Sequence, residues 1–550
     1  MYLYVMKMLT ALTLLFATNT AIAQWNTATQ TNTPVSTATN WQIDLRMVED
    51  GNKGTFIVWK DYRNGTPDIY AQHIDSNGVA LWENNGAPVC TQTSDQSTPG
   101  ILPDGEGGII VSWSDWRSGI ERDIYAQRMN QFGQPVWPLN GVVVVNKVNR
   151  EHNQRMVSDG AGGAIVVFEQ KNSSTYLWEI WAQRINSSGN SVWATGGVPV
   201  SGYLSEHLNE RIQSDGQGGV YVTFQDFRNG FDFDVYVQHL DGNGNRLWST
   251  GVLACNAPGT QTNPKIDPDY LTGGVIVTWT DKRNGLDYDV YAQRIDPTGN
   301  LLWGAIGKPV CVQSGNQSAI EIYSNSSVEG VVFAWKDNRG VTGFDIYADR
   351  LDMNGNSLWQ NNGMVICNST GDQLNPNITG DGYGGVAIVW QDASLGGFDV
   401  KVQRVYKEGF IYYPINGIVI SDATNIQTSP KSVSDGLGNG IFAWEDSRSG
   451  SPDIYCTKLN WGGPYIGIED NLLLEWNVFP NPVKDVIQFS SNESFDAIKL
   501  FDMRGSLIKN ISVQKGGTNL SVDLSDLSEG IYFIQCTASG MITTKKIIKE

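Results

Sequence analysis

The stretch that decides the fold is residues 104–145, which read DGEGGIIVSWSDWRSGIERDIYAQRMNQFGQPVWPLNGVVVV. Asp104-Gly105 is a turn signal, and the β-branched, apolar run that follows it and ends at Trp113 predicts a strand. After a second polar turn, apolar and polar residues alternate as they do on a half-buried strand. A further strand is predicted from Trp137 to Val145. One such sheet cannot bury both of its faces alone, so we expect several copies to pack together.

The pattern recurs through most of the chain. The aromatic residue of a Trp-x-Asp element occupies one position in eight copies, with steps of 54 to 56 residues, at Trp59, Trp113, Phe168, Phe224, Trp279, Trp335, Trp390 and Trp444. A second aromatic series follows at Trp82, Trp137, Trp193, Trp248, Trp303, Trp359 and Tyr413. Eight units of four short strands predict an all-β fold, an eight-bladed β-propeller.

The two ends of this repeat region complement each other. Pro34-Val35 precedes the turn at Asp50-Gly51 by the same 16 residues that separate Pro88-Val89 from Asp104-Gly105. The last copy stops after residues 453–458 without its outer strand. We therefore expect the N-terminal strand to complete the final blade and close the ring, because an open array would need polar capping repeats.

The predicted register places the Asp-Gly turns on one face and the Asp-x-Arg loops on the other, which is the better candidate for binding. Its candidate residues are Asp61, Arg63, Asp115, Trp116, Arg117, Trp178, Asp226, Arg228, Asp281, Arg283, Asp337, Arg339, Asp446 and Arg448. They could surround an anionic or glycan ligand. Alternatively, each Asp caps its own turn and each Arg pairs locally, since every blade needs a hairpin.

The segment WKDYRNGTPDIY, residues 59–70, resembles the repeat of TolB-type propellers, and the Asp-Gly turns resemble those of WD repeats. The period is longer, and the Gly-His and terminal Trp-Asp signatures of WD repeats are missing. The resemblance implies the architecture but no particular ligand.

The sequence singles out no catalytic residue, metal site or cofactor. Its four histidines lie at repeated positions and lack zinc spacing. Residues 241–245 and 352–356 are similar to the start of a calcium loop but lack its distant Glu. Carboxylates are plentiful, yet no pair stands out as a glycosidase site. The cysteines at equivalent positions are expected to be buried free thiols, since neighbouring blades hold them too far apart to bridge.

Charge and the N-terminus bear on partners and location. A net charge of −19 makes nucleic acid an unexpected partner, because phosphate binding needs a basic face. Residues 1–23 have the pattern of a secretory signal peptide, with cleavage predicted between Ala23 and Gln24. No other run approaches membrane length, so we expect no transmembrane segment in the mature chain.

After a predicted linker at residues 466–475, residues 476–550 predict a small Ig-like β-sandwich of short strands. Its motif residues are Pro480, Asn481, Pro482, Gly505, Gly530, Tyr532, Lys545 and Lys546. With the segments KLFDMRG and DLSDLSEGIY, they resemble the type A C-terminal sorting domain of the Bacteroidota type IX (Por) secretion system. The resemblance implies that this machinery is a partner, and that the protein reaches the outer-membrane surface or the medium. It also implies removal of the domain, followed by release or attachment to surface lipopolysaccharide.

The propeller region, residues 24–465, is thus predicted to be exported, and two functions remain open for it. The first is a non-enzymatic binding module for a glycan or protein, since scaffolds without a distinguishable catalytic set are commonly recognition platforms. The second is a secreted polysaccharide hydrolase or lyase with its site in the central funnel.

Overall fold

The computed structural model describes residues 25–462 and 476–550, except 148–149, 326–329, 341–342, 492–494, 496, 503–505, 512, 514–518 and 539–540. Packing divides the chain into two units, Met1–Gly463 and Pro464–Glu550. The described residues form strands and turns without a helix. The chain is therefore all-β, as predicted.

The first unit contains eight four-stranded antiparallel sheets among its described residues, numbered here in chain order. Their first strands are β2 (Gln42–Glu49), β6 (Gln96–Pro103), β10 (Glu151–Ser158), β14 (His207–Ser214), β18 (Gln261–Asp269), β22 (Gln317–Ser324), β26 (Gln373–Gly380) and β30 (Gln427–Ser434). The second strands are β3 (Thr55–Asp61), β7 (Ile109–Asp115), β11 (Ala164–Lys171), β15 (Val220–Asp226), β19 (Gly274–Asp281), β23 (Val331–Asp337), β27 (Val386–Asp392) and β31 (Asn439–Asp446).

The third strands are β4 (Asp68–Ile74), β8 (Asp123–Met129), β12 (Trp178–Ile185), β16 (Asp234–Leu240), β20 (Asp289–Ile295), β24 (Asp345–Leu351), β28 (Asp399–Val405) and β32 (Asp453–Asn460). The fourth strands are β5 (Ala87–Cys90), β9 (Val142–Val145), β13 (Val198–Pro199), β17 (Val252–Leu253), β21 (Lys308–Cys311), β25 (Met364–Cys367), β29 (Ile418–Ser421) and, for the eighth sheet, β1 (Thr33–Ser36).

The middle strands of each sheet form the core. In sheet 2, every residue of β7 and β8 is buried. Both faces of these strands are covered because each sheet packs against its neighbours, and the buried clusters combine residues of consecutive sheets. This explains the near-continuous apolar runs of the second strands, which an exposed sheet face would not tolerate.

Each first strand carries a β-bulge after its second residue. In sheet 3 the register shifts between His152 and Arg155, with Asn153 at a φ of 54°. Equivalent positive φ values occur in all eight first strands, at Asp44, Thr98, Asn153, Asn209, Asn263, Ala319, Asn375 and Ser429. The bulge bends the strand and redirects the side chains that follow it.

The eighth sheet joins the two ends of the unit. β1 pairs antiparallel with β32, with Thr33 opposite Cys456 and Pro34 opposite Tyr455. Neighbouring first strands contact each other from β2 through β30, and β30 also contacts β2. The N-terminal strand therefore lies at the place that the sequence predicted for it.

The second aromatic series does not lie in the outer strands, and the prediction of a strand from Trp137 to Val145 was wrong in this respect. β9 begins only at Val142, and Trp137 lies in the preceding turn. Its indole Nε1 donates to the Ser187 carbonyl of the next sheet, 3.0 Å away. Trp25 makes the same kind of bond to Ser76, so this aromatic joins one sheet to the next instead of extending a strand.

The second unit has two sheets among its described residues. The three-stranded sheet has the order β33 (Trp476–Phe479), β34 (Val486–Ser491) and β37 (Asn519–Asp523). The four-stranded sheet has the order β36 (Leu507–Ile511), β35 (Ala497–Phe501), β38 (Gly530–Ala538) and β39 (Met541–Lys549). They share one apolar cluster, which includes Trp476, Phe489, Leu500 and Ile534.

Candidate functional site

Sheet 2 shows what the Asp-x-Arg loop does. The Asp115 carboxylate is fully buried and accepts hydrogen bonds from Trp113 Nε1 at 2.7 Å and from the Arg117 amide at 2.8 Å. Arg117 Nη2 lies 2.6 Å from Asp115 Oδ2, and its guanidinium stacks 3.6 Å from the centre of the Tyr125 ring. We call this Trp-Asp-Arg-Tyr arrangement the loop lock.

The buried Asp–Arg pair recurs in five other sheets. The Arg Nη2–Asp Oδ2 distance is 2.5–2.6 Å in Arg63–Asp61, Arg228–Asp226, Arg283–Asp281, Arg339–Asp337 and Arg448–Asp446. All of these Asp side chains are fully buried. The geometry is that of the local-pairing alternative, in which the charges satisfy one another.

Sheets 3 and 7, which lack the motif pair, fill the position differently. In sheet 3, Lys147 Nζ stands 3.5 Å above the Trp181 ring and bonds Gln170 at 3.0 Å. In sheet 7, Lys401 pairs with the buried Asp392 at 3.1 Å. In both sheets a lysine thus takes the place of the missing arginine, and the lysine comes from a different part of the repeat in each case.

The two loop tryptophans differ in exposure. Trp116 is 37% exposed, with the Arg122 guanidinium 5.8 Å from its ring. Trp178 is only half-buried and packs edge-on against His152 at 4.3 Å. Both lie at the Asp-x-Arg ends of their sheets, and their predicted role in binding stays a prediction.

The histidines at the Gln-Arg position belong to a second buried pair. In sheet 2, Arg128 Nε lies 2.9 Å from Oδ2 of Asp104 in the Asp-Gly turn. His73 and His239 replace this arginine, and they lie 2.8 and 3.0 Å from Asp50 and Asp215. Burial raises the pKa of Asp50, but hydrogen bonds from His73 and two backbone amides outweigh it and lower the pKa. These histidines therefore stabilise the Asp-Gly turns of their sheets.

A pair of acidic residues, Glu169 and Glu210, lies between sheets 3 and 4. Burial strongly raises the pKa of Glu210, and the charge of Glu169 raises it further, whereas the charge of Arg155 opposes the shift. Glu169 also accepts bonds from the Asn209 amide at 2.7 Å and from Asn153 Nδ2 at 3.0 Å. Burial lowers the pKa of the adjacent His152. The charge of one buried carboxyl group makes the other harder to ionise.

No sequence motif pairs Glu169 with Glu210, which lie on different sheets. The one available signal was that Glu169-Gln170-Lys171 departs from the Trp-x-Asp-x-Arg pattern. A broken repeat indicates where a chain differs from its own consensus, but it does not identify the partner across the sheet boundary.

A second set of side chains lies directly after the bulge of each first strand. This post-bulge row consists of Arg46, Gly100, Arg155, Arg211, Lys265, Glu321, Asn377 and Lys431. It holds five cations and one carboxylate in a chain whose net charge is −19. Its members were not identified from the sequence because they differ in residue type, although a glutamine stands four residues before six of them, at Gln42, Gln96, Gln261, Gln317, Gln373 and Gln427.

Members of the row interact across sheets. Lys265 Nζ lies 2.7 Å from Glu321 Oε1, and Arg155 Nε donates to the Glu210 carbonyl at 3.1 Å. Burial lowers the pKa of Lys431; Glu321 opposes this, while Arg46 and Lys265 lower it further. Burial and then the charge of Arg155 lower the pKa of Arg211 to about 10. Charges from sheets 1, 5, 6 and 8 therefore act on one another.

The six cysteines are free and buried, which confirms the expectation for the four at equivalent positions, Cys90, Cys255, Cys311 and Cys367. Burial raises the pKa of Cys90 and Cys311 to about 12, so these thiols are poor nucleophiles. In the part of the chain that the structure describes, no three His, Cys, Asp or Glu side chains are grouped to hold a metal ion. Asp241 and Asp352 cap their own turns by accepting backbone amides at 2.8–2.9 Å.

In the second unit the Pro-Asn-Pro motif contacts the C-terminal strand. Asn481 Nδ2 donates to the Lys546 carbonyl at 2.9 Å, and its Oδ1 accepts the Ile548 amide at 2.8 Å. Lys545 Nζ donates to the Trp476 carbonyl at 2.6 Å. Tyr532, which follows Gly530 on β38, donates from its hydroxyl to the Ser528 carbonyl at 3.0 Å. Pro480 and Pro482 flank Asn481, whereas Gly505, Ala23 and Gln24 fall outside the described residues.

Residues 477–550 match the family model described as the secretion system C-terminal sorting domain. The chain therefore carries this sorting domain, and the protein is secreted or displayed at the cell surface. Among the described residues, no helix is long and apolar enough to span a membrane.

No curated protein matches the sequence. The similar solved structures include a protein of unknown function from Dyadobacter fermentans, with 9% identity, 57% of this chain and 95% of that chain covered, and a TM-score of 0.35. An α-L-arabinanase from Penicillium chrysogenum has 11% identity, with 68% and 96% covered and a TM-score of 0.34. An endo-arabinase from Bacteroides thetaiotaomicron has 13% identity, with 52% and 98% covered and a TM-score of 0.29. Likeness at this level carries no conclusion about activity.

Proposed function

We propose that the first unit is a closed eight-bladed β-propeller that serves outside the cell as a non-enzymatic binding module for a glycan or protein. Closure is supported by the pairing of β1 with β32 and by the contact between β30 and β2. In such a ring the first strands line the centre, which places the post-bulge row around the axis.

The observation that carries the binding role is the contrast between repeated and unrepeated charges. In the loop locks, and in the pairs formed at the Asp-Gly turns, each charge is paired within its own sheet. The post-bulge row instead presents different side chains from different sheets. Arg46 and Arg155 retain 39% and 38% side-chain exposure. A surface that is polar, varied and partly exposed is suited to recognition of a ligand without eightfold symmetry.

The test is a glycan and protein array probed with the mature protein collected from the medium or the cell surface. We expect a discrete set of bound ligands. These ligands should compete with one another if they all bind at the post-bulge row around the ring axis. An array without any ligand above background would contradict a binding role.

We also propose that export follows the type IX route, in which the secretion machinery recognises the second unit. The first unit is then released or attached to lipopolysaccharide. The match at residues 477–550 supports this itinerary. Removal of residues 476–550 should leave the protein in the periplasm, as measured by fractionation. Undiminished appearance at the surface or in the medium would refute the route.

A second candidate function is hydrolysis of a polysaccharide, and the pair Glu169 and Glu210 favours it. Burial raises the pKa of the Glu210 carboxyl group, and a carboxyl group with a raised pKa can serve as a general acid. If this candidate holds, purified protein should release reducing ends from an extracellular polysaccharide, and Glu210→Gln should abolish release while leaving the array pattern intact.

A further inference from the structure

A cavity of about 460 Å³ opens between sheets 7 and 8 on the side of the Asp-x-Arg loops. It lies between the loop that follows β27 and the crossing from β29 to β30. The residues that line it include Leu395, Asp399, Asp422, Asn425 and Ile426. A volume of this size is within the range of sites that bind small ligands. At this boundary the chain departs from its own repeat in three ways.

The first departure leaves Asp399 without a hydrogen bond from its own loop. In sheets 1, 3, 4, 5 and 8, an Asn or Ser side chain of the loop donates to the acidic residue that begins or nearly begins the third strand, as Asn64 does to Asp68 at 2.7 Å. In sheet 7 the donor position is occupied by Leu395, which cannot donate. Asp399 is only 6% exposed, and among the described residues no group donates to its carboxylate.

The second departure removes a bridge between neighbouring sheets. The Phe344 amide of sheet 6 donates to Asp372 of sheet 7 at 3.0 Å, and equivalent bonds join sheets 3 and 4 and sheets 5 and 6. In sheet 7 the donor would be the Phe398 amide, but the residue opposite is Ile426, whose side chain cannot accept. Sheet 6 has Gly340 in place of the loop donor but keeps its bridge, so it does not combine the two losses.

The third departure adds a carboxylate. The position of Asp422 is neutral in the other seven sheets, where its equivalents are Thr37, Thr91, Asn146, Gly202, Asn256, Val312 and Asn368. Gln30 Nε2 donates to Asp422 Oδ1 at 2.7 Å, which leaves Oδ2 for a ligand. Burial, and then the negative charge of Asp422, raises the pKa of Asp399 to about 6. The cavity therefore holds two carboxylates that repel each other.

The nearby cation Lys401 is engaged by other groups. Its Nζ lies 3.1 Å from Oδ1 of the buried Asp392 and donates to Ser394 Oγ at 2.8 Å. This lysine thus stands in for the missing arginine of the lock. A positively charged ligand would relieve the repulsion in the cavity and give Asp399 the donor that its loop lacks.

The rim of the cavity indicates what kind of cation fits. Leu395 and Ile426 are both exposed and offer apolar surface to an aliphatic chain. Calcium takes roughly six to eight oxygen ligands, which is more than two carboxylates and one amide supply. An ammonium group on an apolar stem matches both the carboxylates and the rim.

We infer that this cavity binds a primary ammonium group on an aliphatic stem, the side chain of a lysine of a protein partner. Asp399 and Asp422 accept hydrogen bonds from the ammonium group, and Leu395 and Ile426 contact its methylene groups. The inference rests on the proposed binding module, names a protein as its partner, and adds a site apart from the post-bulge row.

The test measures binding to the mature protein by ligand-observed NMR titration at pH 7.5 and constant low ionic strength. The probes are Nα-acetyl-lysine methylamide, the same compound acetylated on its Nε atom, and glucosamine, with calcium chloride as a competitor. We expect the lysine probe to bind and the Nε-acetylated compound, which carries no charge, not to bind. Glucosamine lacks the aliphatic stem and should bind at least about tenfold more weakly.

Two variants introduce residues that other sheets already use at these positions, so both are expected to fold. Asp422→Asn should weaken binding of the lysine probe about fivefold, because one unit charge near the ligand is removed. Leu395→Asn supplies a donor to Asp399 without changing the net charge and should weaken binding about threefold. The control Asp95→Asn removes the same charge from the crossing between sheets 1 and 2 and should leave binding unchanged.

Equal losses in Asp95→Asn and Asp422→Asn, or unchanged affinity in both Asp422→Asn and Leu395→Asn, would overturn the inference. Glucosamine binding as tightly as the lysine probe would assign the cavity to an amino sugar instead, and displacement of the probe by calcium would assign it to a metal ion. If the array shows ligands but the lysine probe does not bind, the inference fails and the binding module stands. If neither experiment finds a ligand, the proposed function fails as well.

Discussion

The loop locks and the post-bulge row are two sets of charged side chains that recur once per sheet, and the chain treats them in opposite ways. In a lock such as Asp115–Arg117, both partners come from one hairpin and the carboxylate is fully buried. In the row, cations from different sheets face one another, and Lys431 has no ion-pair partner among the described residues.

The difference shows how to separate structural charges from candidate binding charges in a repeat protein. A charge that every repeat needs for its own turn is kept with its partner inside the repeat. A charge that varies between repeats is not required by the repeat and is available for a ligand. Three measurements test this distinction, beginning with the largest expected effect.

The first breaks a lock. Asp115→Ala leaves Trp113 Nε1 and the Arg117 guanidinium without their buried acceptor, so we expect a loss of roughly 3 kcal/mol in the free energy of unfolding. Denaturant unfolding followed by tryptophan fluorescence measures it. Lys431→Gln is the matched comparison from the row and should destabilise far less or not at all. A nearly neutral Asp115→Ala would mean that the lock does not stabilise the sheet.

The second measurement tests how stability depends on pH at Asp123, the acidic residue next to the lock of sheet 2. Burial, followed by the charge of Asp115, raises the pKa of Asp123 from 3.8 to about 6. The folded state therefore binds this proton more tightly than the unfolded state, and the group's contribution to stability is lost as pH rises from about 4 to about 6. We expect Asp123→Asn to raise the melting temperature at pH 7.5 and to change it little at pH 4.

The control variant should change the melting temperature in the opposite direction. At the turn residue Asp296, hydrogen bonds from Asn300 and Thr298 outweigh burial and lower the pKa to about 2. Its contribution is present at neutral pH and is lost as pH falls through about 2, so Asp296→Asn should lower the melting temperature at pH 7.5. Identical pH responses of the two variants would contradict the assignment.

The smallest effect is expected at Trp116. The side chain is 37% exposed, so Trp116→Ala should change the free energy of unfolding by about 0.5 kcal/mol or less. The same variant on the ligand array separates the loop face from the axis. Loss of ligand in Trp116→Ala, with binding retained in Lys431→Gln, would move the binding site to the loop face.

Much of the fold could be predicted from the sequence because each sheet repeats its own local signals. The Asp-Gly turns, the apolar second strands and the strand at Pro34-Val35 were all placed correctly. The prediction was wrong for Trp137, because an aromatic ahead of a short strand is compatible with a place in the strand or in the turn before it. In the structure β9 begins at Val142, and Trp137 bonds instead to Ser187 of the next sheet.

The candidate site could not be predicted in the same way. Each bulge shifts the register, so the side chain that follows it cannot be located by counting alternate residues along the strand. The pairing of Glu169 with Glu210 depends on two sheets lying side by side. The Asp–Arg residues were found from their spacing, but whether they point to a ligand or to each other is decided by burial, which spacing does not contain.

The eighth sheet also bears on how the protein is made. Its members β1 and β32 are separated so widely that Tyr455 follows Pro34 by 421 residues. Synthesis proceeds from the N-terminus, so the first strand to be made must wait unpaired for the last one. This sheet therefore completes only after almost the whole unit has been synthesised, and its long-range pairing makes it a slow step in folding.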